Sequence, residues 1–197
     1  MKYKFTIPLF IFIWGIAACT TPTETDNWQE YNSALDLEVS EFLDNYGVSN
    51  THFSVKFPQG WETGWAADSD VIMFVLSSGD VHDTWVMDYA GPAFMIIPFG
   101  STHVDSPDVN TLLYEMADDF FGVNIGEPVA ITINGQDTAK AIVKIEVTAN
   151  QSEVRLVALI VKENVSLFIF GFTPVGAETE SLPIFEAILN TIVISLE

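Results

Sequence analysis

Residues 70–77, DVIMFVLS, are a continuous apolar run of strand length. A strand with one wet face alternates apolar and polar residues, so an unbroken run suits a central strand covered on both faces. The chain must therefore supply packing material above and below a sheet. Residues 51–57, THFSVKF, alternate strictly, with Phe53, Val55 and Phe57 on one face and His52, Ser54 and Lys56 on the other. That is a half-buried strand, stopped by Pro58 and Gly60. DTWVMDYA (83–90) and AFMIIPF (93–99) follow on either side of Gly91-Pro92.

Helical spacing then takes over. Val109, Leu112, Leu113, Met116 and Phe120 recur at helical intervals. Ser106 is the expected N-cap, Pro107 suits the first helical position, Asp108 faces the positive end of the dipole, and Gly122 closes the end. A strand over 128–133 leads into the Asn134-Gly135 turn. In residues 137–148, Ala141, Val143, Ile145 and Val147 alternate with Lys144, Glu146 and Thr148. The turn ANQS precedes the strand EVRLVALIV, and KEN precedes VSLFIFGF. A final helix carries Phe185, Ile188, Leu189 and Ile192 on one stripe, with Pro183 expected in its first turn. The order predicts an α+β domain over residues 51–197, an antiparallel meander with helices packed on it. No repeat and no second domain is visible.

The first 18 residues have a different texture. Lys2 and Lys4 precede FTIPLFIFIWGIAA, residues 5–18, and small residues lead into Cys19. Charged start, short apolar run and small-residue end are the layout of a signal peptide. The run is shorter than the about 20 apolar residues of a membrane-spanning helix. Ile16-Ala17-Ala18-Cys19 resembles the lipobox of bacterial lipoproteins, in which cleavage frees the cysteine for lipid attachment. The other reading of Cys19 is an incidental thiol in an ordinary secreted protein. Acyl chains on Cys19 would give the two lipid signals that stable anchoring needs. Cys19 is the only cysteine, so no intramolecular disulfide can form. Thr20 rather than aspartate follows it, which fits the outer membrane in a two-membrane cell and the outer face of the plasma membrane otherwise. Residues 20–33, TTPTETDNWQEYNS, read as a flexible spacer. Residues 34–46 predict a short helix with Leu35, Val39 and Phe42 on one side. Residues 19–50 are thus the lipidated cysteine, tether and helix.

Without Lys2 and Lys4, five basic residues face 27 acidic ones, a net charge of −22. Such a polyanion has no attraction to nucleic acid or anionic lipid head groups. A protein partner must offer basic or apolar surface.

FSVKFPQGW at 53–61, INGQDTAKAIVKIEV at 133–147 and the closing amphipathic helix resemble the PsbP-like superfamily. That superfamily includes the extrinsic PsbP protein of photosystem II, a Ran-binding import factor and many bacterial lipoproteins. The resemblance implies an α/β/α sandwich and a role in binding or assembly rather than catalysis. It carries over no functional residue.

The search for chemistry is mostly negative. No Gly-x-Ser-x-Gly elbow, phosphate loop, dinucleotide-binding glycine turn, HExxH or EF-hand loop occurs. His82 beside Asp83 and His103 near Asp105 are each a histidine next to a carboxylate, but their spacing matches no zinc pattern. Asp68 and Asp70 lack the further ligands and glycine of a calcium loop. No cofactor or metal is expected. Trp61 is expected in the core. Trp65 and Trp85, among Asp68, Asp70, Asp80, Asp83 and Asp88, are the candidate partner contacts. Phe120 is expected inward, with Phe121 at the helix end. The leading reading is a lipid-anchored, extracytoplasmic binding or assembly module without catalytic activity. The second is a small metal-dependent or hydrolytic enzyme using His82, His103 and nearby carboxylates.

Overall fold

The computed structural model describes residues 27–45, 48, 51–67, 71–79, 91–100, 108–122, 124–146, 152–163 and 165–196. In chain order come β1 (Gln29–Asn32), a 3-10 turn (Ser33–Leu35), α1 (Leu37–Asn45), β2 (Thr51–Phe57), β3 (Glu62–Ala67), β4 (Ile72–Ser77) and β5 (Ala93–Gly100). Then follow α2 (Val109–Phe121), β6 (Val129–Ile133), β7 (Gln136–Glu146), β8 (Ser152–Lys162), β9 (Val165–Pro174), α3 (Glu178–Leu189) and β10 (Val193–Leu196). Seven strands form one sheet in the order β3-β4-β5-β9-β8-β7-β6, and three form another in the order β1-β2-β10. Every pairing in both is antiparallel. The fold is α+β, as the sequence predicts.

The period of two along each strand sends side chains into two cores. Ile72, Phe74 and Leu76 of β4 join Phe94 and Ile96 of β5 on one face of the large sheet. Met73 and Val75 join Ala93, Met95 and Ile97 on the other. The apolar run that demanded two covers is buried on both faces throughout β4. On one side the cover is α2, through Leu112, Leu113 and Ala117. On the other it is α1, α3 and the small sheet, through Val39, Leu43, Phe53, Val55, Phe57, Phe185, Ile188, Leu189 and Ile194. Helix α3 lies directly on β9: a Cβ at Gly171 would stand 2.6 Å from the Phe185 ring, so only glycine allows that approach.

The Asn134-Gly135 turn forms, with φ of 51° and 76° at its two residues. It also anchors the C-terminal end of the chain. Asn134 Nδ2 donates to the Ile192 carbonyl at 2.9 Å, and Gln136 Oε1 accepts from the Ile194 backbone N–H at 2.6 Å.

Several local expectations are corrected. The cap of α2 is Asp108, whose carboxylate accepts from Asn110 N at 3.4 Å and Thr111 N at 3.2 Å, and the helix starts at Val109. Pro107 is therefore not its first residue, and Ser106 and Pro107 lie outside the described residues. Pro183 lies inside α3, not in its first turn, because the helix begins at Glu178. The expected spacer does not persist to residue 33. Gln29–Asn32 pair with β2, and Ser33 Oγ accepts from Phe53 N at 2.9 Å. Leu35 is 83% exposed, since the 3-10 turn breaks the stripe that was to join it to Val39. Phe120 meets Phe168 and Phe170 at ring-centroid distances of 5.7 and 5.3 Å, although it remains partly exposed.

Candidate functional site

Strand β3 is the terminal strand of the large sheet. Its sequence, ETGWAA, is polar and small apart from Trp65, and only Ala66 is buried. Trp65 pairs in register with Phe74 of β4, and Thr63 with Leu76. Side chains directly opposite each other share a face, so Thr63 and Trp65 stand on the side of the sheet covered by the small sheet and α1. Phe74 belongs to the core there, whereas Trp65, one strand further out, is 38% exposed.

The segment before β2 closes the other side of this edge. The Tyr31 ring lies 5.7 Å from that of Phe74 and 5.8 Å from that of Phe53. Its hydroxyl donates a long hydrogen bond, 3.5 Å, to Asp36 Oδ2. Asp36 Oδ1 accepts from Val39 N at 3.3 Å, so this carboxylate also caps α1. Burial pushes the Tyr31 hydroxyl far above the usual phenol range, and the Asp36 charge and hydrogen bond add to that. The phenol is thus a fixed neutral donor at neutral pH. Between β3 and this segment lies a cavity of about 240 Å³, with Phe74 as floor, Tyr31 and Asp36 on one wall and Thr63, Gly64 and Trp65 on the other. Among the described residues no basic side chain pairs with Asp36.

A second charged constellation sits elsewhere, on β7 and β8. The register shifts at Arg155 against both neighbours: opposite β9 the extra residue is Arg155 of β8, between Val154 and Leu156, whereas opposite β7 the extra residue is on β7, where Val143 and Lys144 stand against the single Arg155. Glu153 is only 2% exposed beside this bulge. Its carboxylate meets Lys144 Nζ at 3.0 Å and Arg155 Nη1 at 3.2 Å. Burial opposes its ionisation, but the hydrogen bonds and charges of Lys144 and Arg155 outweigh it and hold the carboxyl below the usual range. The pairing is internal and complete for the acid.

Of the residues singled out in the sequence, Trp65 is exposed and Trp61 is half-buried against the core rather than wholly inside it. His52 is half-buried on β2. Cys19, Asp68, Asp70, Asp80, His82, Asp83, Trp85, Asp88, Tyr89, His103 and Asp105 lie outside the described residues. Among the described residues no group of three or more His, Cys, Asp or Glu is placed to hold a metal ion. No described helix is long and apolar enough to cross a membrane. Sequence reasoning missed Tyr31 and Asp36, because nothing local marks them: they reach the groove only through the pairing of β1 with β2.

No family model matches the sequence, and no curated protein matches it. Solved structures do. PsbP (CyanoP) from the cyanobacterium Synechocystis superposes with a TM-score of 0.54 at 11% identity, covering 91% of this chain and 99% of that one. The Saccharomyces cerevisiae Ran-binding protein Mog1p gives a TM-score of 0.50 at 10% identity, covering 85% and 95%. A protein from Bacteroides thetaiotaomicron gives 0.48 at 14% identity, covering 74% of this chain, which spans 46% of the length of that protein. At these identities the likeness is one of fold: the chain has the PsbP-like fold.

Proposed function

We propose that this chain is an extracytoplasmic binding or assembly module without catalytic activity, anchored through lipid on Cys19. It docks a protein partner at the β3 edge. The observation that carries this reading is Trp65, a large aromatic left 38% exposed at the rim of a groove on an otherwise polar edge strand. Aromatic anchors of this kind concentrate binding energy in protein interfaces. The sequence supports the anchor through its leader and its single, correctly placed cysteine. One structural neighbour is named as a Ran-binding protein. The acidic composition favours a basic or apolar partner surface and disfavours nucleic acid.

Crosslinking native membranes and capturing the chain tests both halves. Wild type should fractionate with membranes and bring down a discrete partner. Cys19→Ser should move to the soluble fraction, and Trp65→Ala should lose the partner. An unshifted Cys19→Ser variant would remove the anchor, and a chain captured without any partner would remove the docking role.

A further inference from the structure

Resting on that docking role, we infer that the Trp65 groove seats one cationic side chain, lysine or arginine, presented by the protein partner. Size argues first. The cavity of about 240 Å³ falls below the about 300–1,000 Å³ of small-molecule sites. It suits a single long side chain entering from an extended segment. The walls then select its chemistry. Trp65 lines the groove with an indole, the best cation–π partner among side chains. Asp36 offers a carboxylate whose two present hydrogen bonds come from the Val39 backbone and the Tyr31 hydroxyl. Its oxygens retain lone pairs for a further donor. The apolar stem of a lysine or arginine would lie over Phe74, as such stems do on apolar surface.

The charge distribution of the whole chain points the same way. The basic residues outside residues 1–18 are Lys56, Lys140, Lys144, Arg155 and Lys162. Lys140 pairs with Glu186, Lys144 and Arg155 share Glu153, and Lys162 donates to the Ile194 carbonyl at 2.6 Å. The chain's own cations are thus largely spent on its far strands, and none of them reaches Asp36. Among the described residues no cation meets Asp36, and the strongly acidic chain favours one there.

The test is a calorimetric titration of residues 19–197, carried as the Cys19→Ser protein, with a blocked Gly/Ser peptide bearing two arginines. Its twin in which citrulline replaces arginine has the same shape without the charge. The arginine peptide should bind at least tenfold more tightly than the citrulline peptide. Asp36→Asn, which keeps the cap through its one amide oxygen and turns an amide N–H donor toward the Tyr31 hydroxyl oxygen, should weaken the arginine peptide at least fivefold, and Trp65→Ala likewise. Asp137→Asn, an exposed acid on β7, should leave it unchanged. Equal binding of the two peptides overturns the inference, as does an Asp137→Asn loss equal to that of Asp36→Asn, which would mean general attraction to a polyanion. The two readings fail separately. A membrane partner captured undiminished by Asp36→Asn sinks the cation seat and leaves docking standing, whereas absence of any captured partner sinks docking itself.

Discussion

Two carboxylates in this domain have opposite surroundings. Glu153 is buried beside the bulge at Arg155 and clasped by two basic side chains. Asp36 stands at the mouth of a groove, held by a backbone amide and a phenol, with no described cation nearby. The first is committed to the fold: its charge is neutralised by the chain itself, and the pairing fixes two strands at an irregular register. The second has spare capacity. In a chain with so few basic residues, where each cation is spent shows which acids remain available to a partner.

The contrast predicts unequal effects of removing each group. Glu153→Ala should have the largest, about 2 kcal/mol of stability, because it strips two charge-assisted hydrogen bonds and leaves the Arg155 guanidinium short of an acceptor. The 60% exposure of Lys144 limits the loss. Urea denaturation at neutral pH measures it, and a change under about 0.5 kcal/mol would show the pairing to be incidental. The same residue sets an acid response. Its folded pKa lies below the ordinary glutamate value of 4.5, so the unfolded chain binds the proton more readily. The stabilisation is therefore full above pH 4.5 and is lost as pH falls through the lower, folded value. Wild type should lose stability more steeply than Glu153→Gln as pH falls below 4.5; parallel acid curves would contradict the pairing.

Trp65→Ala should cost less, about 1 kcal/mol, since part of the indole already meets water. Its signature is a domain that melts cooperatively and has lost its partner. Unfolding of this variant would place Trp65 in the core. Asp36→Asn should be smallest, within about 0.5 kcal/mol of wild type, because asparagine caps a helix as well as aspartate does. Thermal melts of the two variants side by side sharpen the comparison: a large loss in Asp36→Asn would mean that its charge serves the fold.

Much of the fold was legible because its signals are local. The buried run at 70–77, the alternation of 51–57 and the Asn134-Gly135 turn each follow from a few adjacent residues, and the order of strands and helices follows from them. What was illegible depends on partners distant in sequence. QEYN at 29–32 is too short and polar to announce a strand, and it becomes one only by pairing with β2. VISL at 193–196 likewise becomes β10 on β2, giving two sheets where one meander was expected. The bulge of β8 at Arg155 against β9, and that of β7 at Val143-Lys144 against β8, exist only in the strand registers, and EVRLVALIV alone reveals neither. Trp65 was singled out beside Trp85 as a candidate contact, but its neighbours escaped notice: Tyr31 comes from sequence that reads as a spacer, and Asp36 from the short helix expected over 34–46.

The docking role is tested most directly by a photocrosslinking residue placed at position 65 in intact cells, with the same group at position 114 on α2 as control. Tyr114 is as exposed as Trp65, 37% against 38%, but it lies on the helix that covers the opposite face of the large sheet. The account predicts a discrete adduct from position 65 and none of that size from position 114. An adduct from 114 alone, or equal adducts from both, would contradict it.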